Sequence, residues 1–165
     1  MNDEEKRKLK EVLDQNDTLF DGKLGLYPKK KFHIELKENT EPTWQKPFPI
    51  PYRHERIFAA EIDEMIDDEI LRRKHSGSKW MSPMFCTPKK DNRVRVVTDF
   101  RELNKHLVRR PYPMPSIRDI MQNRKNYKYF TKIDLSMCFY CFELDEESKH
   151  ITTTMHPNGT LLEYN

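Results

Sequence analysis

Long apolar runs are missing from this chain of 165 residues. None approaches the roughly 20 residues that a helical membrane span requires, so that class is excluded. The opening stretch, Met1 to Lys10, is almost wholly polar, and no secretory signal is expected from it. Cysteine is scarce. Three thiols, an odd number, argue against a disulfide framework and for a reducing compartment, cytoplasmic or nuclear. No repeat or low-complexity tract occurs, which excludes a fibrous protein. Hydrophobic residues make up only 36% of the chain and charged residues 35%. The length suits one domain or part of a larger one, but the core must be thin and is expected to lean on a partner or on further chain.

What is abundant is charge, and it is unevenly spread. The net charge is +3. Between Cys86 and Lys132, however, 13 Lys and Arg face four acids, so this stretch carries +9 and the remainder −6. A solvated face would explain that. Contact with a nucleic-acid backbone would explain it equally, because clustered cations supply sequence-independent attraction to phosphates. Phe100, Tyr112, Tyr127, Tyr129 and Phe130 interleave with the cations, as stacking platforms for bases would.

The pattern along the chain is α+β. A short helix is expected over 4–14, with Leu9, Val12 and Leu13 on one side, and an amphipathic strand over 31–36. Four prolines between Thr40 and Pro51 impose an extended path. Apolar residues at 58, 62, 65, 66 and 70 predict a helix over about 54–74. Its acids (Glu61, Asp63, Glu64, Asp67, Asp68, Glu69) are expected in solvent. A hairpin follows, 83–90 and 93–99 around Asp91-Asn92. Ser116 is placed to cap a short helix. Strands are expected over 127–135 and 139–144, joined by a tight turn. Asn158-Gly159 marks a further turn, between 150–155 and 160–164.

Three strings bear on chemistry. Lys89-Lys-Asp-Asn-Arg-Val-Arg95 sets Arg93 and Arg95 on one strand face across from lysines. That arrangement is costly unless an anion lies between them, and a triphosphate would serve. Asp134 ends the apolar run Phe130-Thr-Lys-Ile, a usual place for a Mg²⁺ ligand. Cys138-Phe-Tyr-Cys141 suggests redox or zinc chemistry. A strand, though, would turn positions three apart to opposite faces, and no second ligand pair follows. The structural reading is therefore preferred for this pair.

Taken in order, the strings resemble a known family. Trp80-Met-Ser-Pro-Met-Phe-Cys-Thr-Pro-Lys-Lys-Asp-Asn-Arg-Val-Arg-Val-Val-Thr-Asp-Phe-Arg-Glu-Leu-Asn-Lys is similar to the fingers signature of reverse transcriptases, in particular the gypsy-type LTR retrotransposon branch. Arg110-Pro-Tyr-Pro-Met-Pro-Ser-Ile and Tyr129-Phe-Thr-Lys-Ile-Asp-Leu-Ser follow in that family's order and spacing. Leu19-Phe-Asp-Gly-Lys-Leu-Gly and Phe32-His-Ile-Glu-Leu-Lys resemble the connector that precedes the polymerase. The resemblance covers about 16–165, and Asp99-Phe-Arg-Glu-Leu-Asn104 is its most specific piece.

The resemblance implies an incomplete right-hand polymerase. A connector would occupy 1–26, part of the fingers 27–110, the start of the palm 111–141, and a second, cut-short fingers insertion 142–165. It also implies roles. Asp134 would be the first catalytic carboxylate and a Mg²⁺ ligand, with the Leu135 carbonyl beside it. Lys89 and Arg95 would hold the incoming triphosphate, and the Phe139 ring would exclude a ribose 2′-hydroxyl. Asp99, Arg101 and Asn104 would lie beside the template. Partners would be an RNA or DNA template–primer and a dNTP, with no membrane.

Two departures accompany the match. The family's downstream Tyr-x-Asp-Asp, thumb and RNase H do not occur within these residues, and Asp145, Glu146 and Glu147 belong to the fingers in the family's layout. Two-metal chemistry needs several converging carboxylates. The expectation is therefore a piece of an RNA-directed DNA polymerase that is inactive alone and needs the missing palm, thumb and RNase H segments. The competing readings are a catalytically dead nucleic-acid-binding remnant and a basic domain co-opted for binding or scaffolding.

Overall fold

The computed structural model describes residues 1–124 and 126–165; Lys125, one of the 13 cations of the basic stretch, lies outside them. The chain begins with α1 (Asp3–Asp14), closed by a capping box in which the Asn2 side chain accepts from the Glu5 amide and the Glu5 carboxylate accepts from the Asn2 amide. Leu9, Val12 and Leu13 do share a side, but no residue of α1 is buried. The helix rests on its cap and on i,i+4 pairs such as Glu4–Lys8, each worth only a few tenths of a kcal/mol.

Residues 31–36 do not form the expected strand. Phe32 bridges Leu144 and Leu36 bridges Leu107, each as a single pair. Consecutive parts of the segment face different neighbours, so no ladder extends. It is a strap, held by the Lys37 amide on the His106 carbonyl and the Val108 amide on the Glu35 carbonyl. The proline-rich path is extended as expected, and Trp44 bridges Met81.

Helix α2 (Tyr52–Asp67) buries Phe58 and Ile62. It stops seven residues before the apolar spacing suggested. Glu69 takes a left-handed conformation with φ +58. The Glu69 amide donates to Ile66 and the Ile70 amide to Met65, the paired bonds of a Schellman cap. The cap folds Ile70 back beside Met65 into the core, so Ile70 belongs to the apolar set without belonging to the helix. Left-handed caps are usually glycine, which is why this one is invisible in the sequence.

Five short strands follow in two sheets. Strand β1 (Leu71–Arg73) pairs antiparallel with β5 (Leu161–Tyr164), which pairs with β4 (Thr154–Met155), giving the order β1-β5-β4. Strands β2 (Met84–Pro88) and β3 (Val94–Thr98) form the expected hairpin, Thr87 opposite Arg95 and Pro88 opposite Val94. Helices α3 (Arg101–His106), α4 (Ile117–Gln122) and α5 (Glu146–Lys149) are short. Ser116 caps α4 as expected, accepting from the Asp119 amide.

The core lies between α2 and both sheets: Phe58, Ile62, Ile70, Leu71, Met84, Val94 and Leu162. A smaller cluster joins Trp80, Leu103 and Ile151. The strands expected over 127–135 and 139–144 do not form. Residues 127–135 are irregular and exposed, and Cys138–Cys141 is a single 3-10 turn entered through Met137 at φ +49. A strand needs a neighbour for its amides, and no strand lies alongside 127–135 among the described residues.

Candidate functional site

Strand β3 of the hairpin and the 3-10 turn Cys138–Cys141 both line a wide groove of about 1350 Å³. Arg95 and Phe139, 44 positions apart in sequence, both line it. Phe139 is 92% exposed, so its ring stands free in the opening. Behind it, Tyr140 stacks on Tyr164 with centroids 6.3 Å apart, and Phe100 meets Tyr164 edge-on at 5.7 Å. The Tyr164 hydroxyl and Thr98 Oγ1 share a hydrogen bond of 2.7 Å. Burial raises the Tyr164 phenol well above its ordinary value. Burial raises Tyr140 too, opposed by the positive charge of Arg95. The groove is an aromatic floor with Arg95 at its side, and Arg72 and Arg73 also line it.

Tyr140 corrects the strand reading. Alternation would have turned it away from Phe139, but in a 3-10 turn successive side chains step by a third of a turn, and both residues line the groove. Neither Tyr140 nor Tyr164 was singled out in sequence as part of a site. Tyr164 lies more than 60 positions from Thr98 and Phe100, so no local signal joins them.

Lys89 does not line the groove with Arg95. Its Nζ is 3.9 Å from Glu61 on α2, while Arg93 donates to Glu61 at 2.7 Å and to Glu64 at 2.9 Å. The anion between the hairpin cations is thus the protein's own. Glu61, expected in solvent, is only 14% exposed at its side chain and raises the Arg93 guanidinium. Arg95 has no such carboxylate among the described residues.

Asp99 is buried and accepts from the Arg101 Nε at 2.9 Å and Nη2 at 2.7 Å, and from the Arg101 amide at 3.0 Å. These bonds hold its carboxylate below the ordinary range, against the opposing effect of burial. The Arg101 side chain stays 84% exposed. Asn104 is exposed one turn along α3. Arg101 and Asn104 therefore sit on an open helix start, with Arg101 fixed in direction by Asp99.

Asp134 and Leu135 lie on the exposed irregular segment, outside the groove lining. Mg²⁺ takes six oxygens in near-octahedral order. One carboxylate and one carbonyl do not make such a site, and no group of three His, Cys, Asp or Glu converges among the described residues. The residues present do not by themselves fit the ion.

Residues 87–163 match the family described as reverse transcriptase (RNA-dependent DNA polymerase). The chain is 33% identical over 136 residues to the retrovirus-related Pol polyprotein from transposon 412 of Drosophila melanogaster, covering 79% of this chain and 11% of that one. To the corresponding polyprotein from transposon 297 of the same fly it is 32% identical over 155 residues, covering 90% and 14%. Residues 87–163 belong to the reverse transcriptase family.

The fold agrees. The foamy viral protease-reverse transcriptase solved with double-stranded DNA superposes with a TM-score of 0.82 at 24% identity, covering all of this chain and 29% of that one. The α+β fingers/palm architecture expected for a partial right-hand polymerase is therefore the observed one. This reverse transcriptase sequence spans 11 to 14% of the length of the two curated polyproteins it matches. No helix among its described residues is long and apolar enough to cross a membrane.

Proposed function

We propose that the chain is the connector (1–26), part of the fingers (27–110), the palm start (111–141) and a second fingers insertion (142–165) of an RNA-directed DNA polymerase from a gypsy-type LTR retrotransposon polyprotein. It acts inside the cell, in cytoplasm or nucleus, on an RNA or DNA template–primer and a dNTP. The observation that carries this reading is the groove: Arg95, which has no ion pair among the described residues, and the exposed Phe139 ring face one space. A guanidinium binds phosphate oxygens strongly, and an aromatic ring beside a sugar excludes one more hydroxyl. Lys89 joins Arg95 on the triphosphate by leaving Glu61, a contact of 3.9 Å that is easily exchanged. Arg101 and Asn104 run beside the template backbone. Asp134 and the Leu135 carbonyl supply part of a Mg²⁺ site whose remaining carboxylates come from other segments of the polyprotein, with the thumb and RNase H. A second reading, nucleic-acid binding without chemistry, is favoured by the exposed, solitary position of Asp134.

The test joins this chain to the downstream palm and thumb of a matching polyprotein and measures primer extension with dNTPs against rNTPs. Burying a ribose hydroxyl against the Phe139 ring without a hydrogen bond costs about 1–3 kcal/mol. Phe139→Val should relax the dNTP preference by roughly 5- to 150-fold, since each ~1.4 kcal/mol is tenfold in rate. Tyr129→Val, exposed and outside the groove lining, is the control. Equal relaxation by both variants, or by neither, removes the gate assignment. The same variants should leave duplex binding unchanged, which separates the two readings.

A further inference from the structure

The Cys138-x-x-Cys141 string takes on a new meaning once the segment is a 3-10 turn and not a strand. In a strand, three residues span about 10 Å and their side chains point to opposite faces. In a 3-10 turn, three residues complete one revolution with a rise of about 2.0 Å each, so positions i and i+3 eclipse about 6 Å apart. That separation lies inside the Cα–Cα window of roughly 4.4–6.8 Å that a disulfide accepts. Cys138 and Cys141 open and close the turn. Both are free and partly exposed. The turn is already drawn tight, with the Tyr140 amide on the Met137 carbonyl at 2.9 Å. The third thiol, Cys86, sits in the paired strand β2 against the core. No third ligand joins the pair among the described residues, so a closed zinc site is not formed.

We propose that Cys138 and Cys141 are a reversible dithiol–disulfide pair, an oxidation site that takes a low-molecular-weight disulfide such as oxidised glutathione. The thiolate of one cysteine attacks a sulfur of the oxidant, and the S–S bond of the oxidant breaks, releasing one glutathione thiolate. The second cysteine thiolate then attacks the protein-bound sulfur and expels the second glutathione thiolate. One S–S bond is broken and one formed. Two electrons pass to the oxidant, and the two thiol protons end on the two glutathiones. Exposed disulfides are the readily reduced ones, so excess thiol reverses the step. The cross-link encloses Phe139 and Tyr140, both of which line the groove, so oxidation pins that wall in place.

The experiment treats the reduced full chain with oxidised glutathione, then counts free thiols and weighs the intact protein and the tryptic peptide 133–149, which holds both cysteines. The expected product keeps one thiol out of three, with the peptide lighter by about 2 Da for its two lost hydrogens. Dithiothreitol should restore all three thiols. Cys86→Ser should still lose both of its remaining thiols to the internal bond, whereas Cys138→Ser should form no internal bond and take up glutathione instead. The proposal is overturned if glutathione adds to both cysteines without ring closure, if Cys86 enters the product, or if all three thiols survive. Because the unsubstituted chain decides the outcome, a variant that fails to fold does not rescue the idea.

Discussion

Residues 52–108 with 144–165 and the segment 109–143 hold similar kinds of side chain and meet different fates. In the first block Phe58, Ile62, Leu71, Val94 and Leu162 are buried to within 1% of completely. In the second, Tyr112, Met114, Ile117, Ile133 and Phe139 are each more than three-quarters exposed. Hydrophobicity alone did not decide this. Each buried residue sits on an element with a neighbour in this chain: α2 on β3, β1 on β5, β2 on β3. Residues 109–137 have no strand against them among the described residues, so most of their apolar groups stay in water at a cost of roughly 25 cal/mol per Å², whereas Tyr140 and Phe142 beyond them pack on Tyr164 and Phe32. Such a patch marks an interaction surface, consistent with a domain whose relatives are much longer.

The sharpest test of that contrast is truncation on each side. Phe58→Ala should lose about 3–5 kcal/mol of stability, the ordinary cost of emptying an aromatic core position. Ile133→Ala should stay within about 0.5 kcal/mol of the parent, as exposed substitutions do. Urea midpoints at unchanged slope would measure both. A large loss from Ile133→Ala would mean that the segment packs in solution and that the contrast is not real.

Charge divides the regions as well. Glu163 on β5 is 5% exposed at its side chain and accepts from Lys74 at 2.8 Å and from Arg72 at 2.8 Å. Arg72 and Lys149 also bind Glu146. These donors lower Glu163, against the effect of its burial, and draw Glu146 down to about 2. A carboxylate depressed in the fold contributes stability above its unfolded value, near 4.5, and loses it as pH falls through the folded one. The folded block should therefore weaken between about pH 4.5 and 2. Glu163→Gln strips Arg72 and Lys74 of a buried partner and should cost about 1–3 kcal/mol at neutral pH. It should also flatten the acid limb. A Glu163→Gln protein with the parent's full acid sensitivity would place the titrating group elsewhere.

The cap of α2 offers a smaller gain. Glu69 holds φ +58, where a side chain costs about 1–2 kcal/mol that glycine avoids. Part of this is offset by the greater freedom of glycine in the unfolded chain. Glu69→Gly should raise stability by up to about 1 kcal/mol. A loss would mean that the Glu69 side chain makes a contact that outweighs the strain.

How much of this was readable in advance follows from the range of each signal. The β2–β3 hairpin, the α4 cap at Ser116 and the turn at Asn158-Gly159 are local, and each lies where its residues indicate. Helix α2 was legible in its apolar face but not at its end, because a left-handed glutamate carries no turn signature. The straps at Phe32 and Leu36 and the irregular 127–135 were misread as strands because alternation shows only that a strand could form. Whether it does depends on a neighbour elsewhere in the chain. Motif order singled out Arg95 and Phe139, 44 positions apart, and both line the groove. It gave no hint of Tyr164 beneath them, or of Glu61 holding Arg93.

That last pairing supplies the finest distinction between cations. Binding to duplex through the basic stretch should weaken with salt at a slope near −0.9 for each phosphate neutralised. Arg93 already has Glu61 and Glu64 as partners, and its exchange onto a phosphate would leave two carboxylates facing each other across one helical turn. Arg95, Lys128 and Lys132 have no ion pair of that kind among the described residues. Removing one of them should flatten the slope by about 0.9, so that the fall in affinity between 50 and 200 mM salt becomes roughly threefold smaller. Arg93→Gln should leave slope and affinity almost unchanged, and Glu61→Gln should steepen the slope by freeing Lys89 while Arg93 keeps Glu64. If Arg93→Gln and Arg95→Gln flatten the slope equally, the carboxylates of α2 do not hold the hairpin cations in solution, and the division between paired and free cations fails.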